Sequence, residues 1–277
     1  EDEYGVYSVI DGKQRITAIH KFITNKLKLT ELENFKELNG KKFQDLPKDI
    51  ANALRIRPYV RVVSLLKQSD SELKHEVFIR LNKAGVALNS QEIRNVAFRG
   101  KMNDLLIDLS QNEYFRQQFK ISDKSKIYQE MQDVQFVLRF FTVRDTWQKF
   151  PGNMDVAMDD FMKKHFHANE KTLSPLRVLF NTSISTCESI WGDSGFMKPN
   201  ANKKVLQGFY DIQMVCISLL NEEERLNIIE KKELVKIKLN ELLRTDRQFE
   251  ESVTQFTSNL HRIKYRINTF LNILKII

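Results

Sequence analysis

Two hydrophobic patterns divide this chain. At the amino end, apolar and polar positions alternate, with Tyr4, Val6 and Ser8 on one face and Tyr7 and Val9 on the other. A period of two predicts a strand. At Asp11-Gly12 the period changes, and apolar residues recur at Ile16, Ile19, Ile23 and Leu27, the spacing of a helix. A second strand is expected over residues 54–63, LRIRPYVRVV, where Pro58 makes it an edge strand or gives it a bulge. Between the two, Asn39-Gly40 predicts a turn and Pro47 starts or precedes a short helix. Leu73, Val77, Phe78 and Leu81 return to helical spacing, a Lys83-Ala84-Gly85 turn follows, and Asn89 with Glu92 forms a capping-box helix start. From residue 101 the pattern is helical throughout, ending in a long helix or helix pair over Phe249–Ile277. The expected fold is therefore α+β: an α/β part over residues 1–100 and an all-helical domain over 101–277. No internal repeat or low-complexity tract interrupts this plan.

Composition narrows the picture. The chain has 277 residues, 42% hydrophobic and 29% charged, which is the make-up of a globular protein. No apolar run reaches the length of a membrane span, so no membrane partner is expected. The start shows no basic region followed by an apolar core, so no signal peptide is expected. The chain opens inside an expected strand rather than at Met, which points to residues upstream. Cys187 and Cys216 lack metal-type spacing and read as reduced, buried thiols, placing the protein in the cytoplasm. The net charge of +8 favours a polyanionic partner, moderated by 36 acidic residues among 44 basic ones.

Candidate chemistry concentrates at the first helix start. The first turn of a helix has unpaired amides and the positive end of the dipole, a natural seat for phosphate. Lys13 and Arg15 strengthen that reading, and Arg15 is expected at the flank of the apolar stripe, near Ile19 and Phe22. The competing reading is structural: Asp11 and Gln14 stand in D-x-x-Q spacing, close to a capping box. Arg80, Asn82, Glu92, Arg94 and Asn95 crowd a second polar segment, where Arg80 and Arg94 could join Arg15 around an anion or simply serve a capped helix-turn-helix. His165 and His167 read as a helix end rather than as metal ligands, and Asp155, Asp159 and Asp160 as solvated surface. No metal site is expected. The basic tail NLHRIKYRIN could track nucleic-acid phosphates or form a solvated face. There is no H-E-x-x-H, P-loop, G-x-S-x-G or HNH pattern.

Taken together, VIDGKQRITAI resembles the DGQQR-x-T motif of the N-terminal domain of GmrSD-type modification-dependent restriction endonucleases. EVFIRLNKAGVALNSQEIRNVAFRG resembles that family's F-x-R-L-N-x-x-G-x-x-L-x-x-x-E-x-R-N block. QEMQDVQFVLRFF and WQKFPGNMDVAMDDFM are also similar to helical parts of such proteins, so the resemblance spans most of the chain. It implies a ParB-like domain with a helical extension, acting in bacterial defence against phage. It also implies nucleotide binding and hydrolysis at the motif, and DNA nicking in some members. Carried over, Asp11, Gly12, Lys13, Gln14 and Arg15 would form the site for an NTP, with Mg²⁺ as a candidate companion, and Thr17 matches the motif's Thr. Asn82, Glu92, Arg94 and Asn95 match the second block. Lys13 stands where the family has Gln and adds a cation. A Q-R-x-Y-x-W-like segment and an HNH domain lie outside this chain, which argues against DNA cleavage by it alone and leaves a separate nuclease subunit as a candidate partner.

The function expected is a nucleotide-dependent, DNA-interacting domain of a restriction-like defence protein. Asp11, Gln14 and Arg15 would be catalytic, and Gly12, Lys13, Arg15, Thr17, Arg80, Asn82 and Arg94 would hold phosphate, supported by Glu92 and Asn95. The alternatives are a non-catalytic module that grips DNA or a protein partner, and a DNA nickase.

Overall fold

The computed structural model describes residues 9, 12–56, 59, 60, 62, 89–199 and 204–277. These residues form α-helices joined by turns and short 3₁₀ segments, with no strand or sheet among them. A single isolated antiparallel bridge pairs Met197 with Val205. The described chain is therefore all-α, which corrects the α+β expectation. The expected strand at 4–9 lies outside the described residues except for Val9. At 54–63 the correction has a visible cause. Leu54, Arg55 and Ile56 are the last turn of a helix, Lys48–Ile56. Alternation over so few residues does not separate strand from helix. Here the helix enters from Pro47, whose carbonyl accepts from Ala51 N at 2.9 Å, and Ile50 and Ala51 supply its packed face.

The chain divides into two compact units, Glu1–Ala87 and Leu88–Ile277. The first contains α1 (Lys13–Ile23) and α2 (Lys48–Ile56). Its described core is small: Leu38, Phe43 and Leu46 are buried, with Phe22, Leu29, Leu32, Ile50 and Ala51 packed around them. Phe22 meets Phe43 edge-on, with ring centroids 5.7 Å apart. The intervening loop is tied by backbone hydrogen bonds between Leu29 and both Gly40 and Lys41. The expected Asn39-Gly40 turn is present, closed by Lys41 N donating to Leu38 O at 3.1 Å.

The second unit contains α3 (Ser90–Ala97), α4 (Lys101–Leu109), α5 (Glu113–Gln118), α6 (Lys126–Gln129) and α7 (Gln132–Thr146). It continues through α8 (Met154–Lys164), α9 (Glu170–Trp191), α10 (Gln207–Ser218) and α11 (Glu222–Glu230). It ends with α12 (Lys232–Thr245), α13 (Arg247–Thr254) and α14 (Leu260–Ile276). The last two are the expected helix pair. Asparagine opens many of these helices: the side chains of Asn89, Asn112, Asn153, Asn169, Asn221 and Asn259 each accept from first-turn amides. Each such cap satisfies donors that a helix start would otherwise leave open, and contributes about 1 kcal/mol. At Asn89 the reciprocal bond from Asn89 N to Glu92 completes the expected capping box.

Helix α10 is the axis of this unit. Every residue from Gly208 to Ser218 is buried, the signature of a helix surrounded by others. It packs against α7, α9, α13 and α14. Gly208 permits its approach to α13, because a Cβ there would run into the backbone of Val253. Cys187 and Cys216 are free and buried in the same core.

Candidate functional site

The local geometry at α1 starts from one residue. Gly12 is the N-cap, with φ 93° and ψ 5°, a left-handed conformation that costs a residue with a Cβ about 1–2 kcal/mol. Ile16 N donates to Gly12 O at 2.8 Å, closing the first turn. Glycine brings no side chain to accept from the first-turn amides, and no acidic residue occupies that turn. The cap falls one residue later than the Asp11–Gln14 spacing requires for a capping box. Asp11 itself lies outside the described residues.

Arg15 folds back over this cap. A Cβ built at Gly12 would sit 3.6 Å from Nη2, 3.7 Å from Nε and 3.8 Å from Cζ of Arg15. The guanidinium is thus brought beside the left-handed cap, at the positive end of the helix dipole. Arg15 is exposed rather than held at a core edge. The reason is that the stripe it flanks is itself open: Ile16 is 47% exposed, Ile19 44% and Ile23 53%. Only Phe22 on this helix is drawn into the small core. Lys13 is the first residue of α1, and Gln14 and Thr17 are exposed on it. Gly12, Gln14, Arg15 and Thr17 therefore share one accessible helix start, chemically suited to an anion.

The second polar segment is described from Asn89 onward, while Arg80 and Asn82 lie outside the described residues. Glu92 closes the capping box. Asn95 accepts from Asn103 Nδ2 at 2.7 Å, joining α3 to α4. Arg94 is buried and carries two carboxylates: Nη2 donates to Asp155 Oδ1 at 2.5 Å and Nε to Asp159 Oδ1 at 2.6 Å. An anion reaching Arg94 would compete with both. Those aspartates lie in α8, so this pair ties α3 to α8 within the second unit. Among the described residues, no group of three or more His, Cys, Asp or Glu side chains could hold a metal ion. His165 closes α8 at its C-cap, with Nδ1 2.9 Å from Phe161 O, as expected for a helix end.

Sequence reading missed a fully buried cluster of charges in the second unit. Arg139 and Arg266 both donate to the buried carboxylate of Asp211, Arg139 through Nε and Nη2 at 2.8 Å each. Burial pushes the Arg266 guanidinium down to about 10; Asp211 opposes that fall and Arg139 adds to it. It remains protonated at neutral pH. The basic stretch NLHRIKYRIN, expected to track nucleic-acid phosphates or to form a solvated face, contributes Arg266 to the interior instead. For Arg139 and Asp211 the available signal was a lone charge inside an apolar run, in QFVLRFF and GFYDIQMV; Arg266, in RIKYRINTF, stands among other basic residues and carried no such signal.

Residues 1–99 match the family model described as GmrSD restriction endonuclease, N-terminal domain. The motif resemblance is borne out over that segment. The helical stretches QEMQDVQFVLRFF and WQKFPGNMDVAMDDFM, residues 129–141 and 147–162, lie beyond the match. No curated protein and no solved structure matches the chain. Among the described residues no helix is long and apolar enough to cross a membrane.

Proposed function

We propose that this chain, which carries a GmrSD-type N-terminal segment at its start, is a nucleotide-dependent, DNA-interacting component of a restriction-like phage-defence system. The observation that carries the reading is the pairing of Gly12 and Arg15 inside the matched segment: a left-handed cap with no side chain, and a guanidinium folded over it. Phosphate oxygens would lie against the first-turn amides of α1, with Lys13, Gln14 and Thr17 along the same turn. Arg15 would neutralise charge that develops on a transferred phosphoryl group. Asp11 would orient the attacking water. Mg²⁺ would arrive with the triphosphate and neutralise its charge. DNA would be met by the basic surface of the chain, in the cytoplasm, with cleavage supplied by a separate nuclease subunit.

The test is NTP turnover by the complete chain, with and without duplex DNA. Arg15→Ala is expected to lower turnover by at least tenfold while leaving helix content unchanged. Turnover that survives the substitution removes Arg15 from the mechanism. DNA binding that falls steeply with salt, without any turnover in the wild-type chain, would identify a binding module instead.

A further inference from the structure

The cluster of Arg139, Asp211 and Arg266 sets two guanidiniums against one carboxylate, and each of the three is at most 1% exposed. Among the described residues neither arginine has a second acidic partner. Buried ion pairs seldom add stability over well-packed apolar side chains, so stability does not account for the cluster. Its spare donors account for it better, because they converge on the last turn of α13 and the loop that follows it. Arg139 Nη2 donates to Thr257 O at 2.9 Å, and Arg266 Nη2 donates to the same oxygen at 2.6 Å. Arg266 Nη1 reaches Ser252 O at 2.9 Å, and Arg139 Nη1 reaches Ser258 Oγ at 3.3 Å.

The loop held this way presents an aromatic ring outward. Phe256 has φ 45°, a conformation rare for a bulky residue, yet it is 76% exposed. The Arg262 guanidinium lies over its ring, 5.4 Å from the centroid. Arg262 is fixed in turn by the carbonyls of Glu251 at 2.8 Å and Gln255 at 3.1 Å. The Glu251 carboxylate is shared between Arg262 and Arg247. Beside the ring opens a cavity of about 540 Å³, walled by Thr257, Ser258, Asn259 and Arg262. His261 and Lys264 are exposed on the adjoining turn of α14.

We propose that the 255–259 loop, with the first turn of α14, is a stacking platform for an unpaired base of single-stranded nucleic acid. The open face of Phe256 takes the base. Arg262, Lys264 and the surplus positive charge behind Thr257 draw the flanking phosphates. An aromatic that is exposed and backed by cations fits a flat π-system joined to anions, and stacking of this kind tolerates any base. The platform lies in the second unit and needs no nucleotide at α1.

The experiment is fluorescence anisotropy with the full chain. It compares a labelled oligo-dT strand of roughly 15–20 nucleotides, longer than one typical site, with the same strand paired to oligo-dA. The single strand is expected to bind more tightly than the duplex. Phe256→Ala should weaken single-strand binding by about tenfold, and Phe256→Trp should retain it. Because the ring is exposed, the thermal melt of Phe256→Ala should match wild type. Arg15→Ala should leave single-strand binding intact, which separates this proposal from the reading of α1. The platform is overturned by any of three results: no single-strand binding, binding indifferent to Phe256→Ala, or poly-glutamate competing as well as the oligonucleotide.

Discussion

The two units of this chain solve the same problem with different means. Each must fix the place of an arginine. In the second unit, Arg139 and Arg266 are immobilised by burial, a shared carboxylate and loop carbonyls, within a core that runs through most of its helices. In the first, Arg15 stands exposed on a helix whose apolar face is largely open, with its guanidinium beside the left-handed turn at Gly12. The difference shows where each arrangement is vulnerable. Packing and charge balance protect the second unit, so their loss should be severe. Backbone conformation organises the start of the first, so its loss should be local and modest.

The sharpest way to break this contrast is Asp211→Asn. It leaves two buried guanidiniums without a counter-charge, and urea denaturation followed by circular dichroism should record a loss of about 3–5 kcal/mol. A loss under 1 kcal/mol would mean the cluster is wetter and less essential than its burial implies. Next comes Gly208→Ala. The added methyl meets the Val253 backbone rather than a pliable side chain, so the same measurement should show a loss near the upper end of about 1–3 kcal/mol. Smallest is Gly12→Ala. Space is available there, since the new Cβ would make ordinary contact with Arg15, but the left-handed backbone disfavours it by about 1–2 kcal/mol. Hydrogen exchange should report faster opening of α1 with α7 and α10 unchanged. Equal acceleration in α10 would erase the distinction between the units.

Much of the second unit was legible from spacing alone. Apolar residues at helical intervals marked its helices, and the Asn89–Glu92 pair announced a start that the structure confirms. The first unit was harder because its signals are short. The short helix expected at Pro47 is present, but it runs on through Leu54, Arg55 and Ile56, where alternation in residues 54–63 suggests a strand. The candidate site was legible as a helix start but not as an exposed one. Whether Ile16 and Ile19 are covered depends on what packs there, which periodicity does not encode. The Asp211 cluster escaped for a related reason. Arg139 and Arg266 lie 72 and 55 residues from their common partner, and nothing local to any of the three names the others.

Arg94 carries a practical lesson about cutting the gene. The family match ends at residue 99, but α3 belongs to the second unit and its arginine is clasped by Asp155 and Asp159. A fragment stopped at the edge of the match would strip that guanidinium of both carboxylates and strand a charged helix in solvent. The scissors belong before Leu88, where the architecture itself parts.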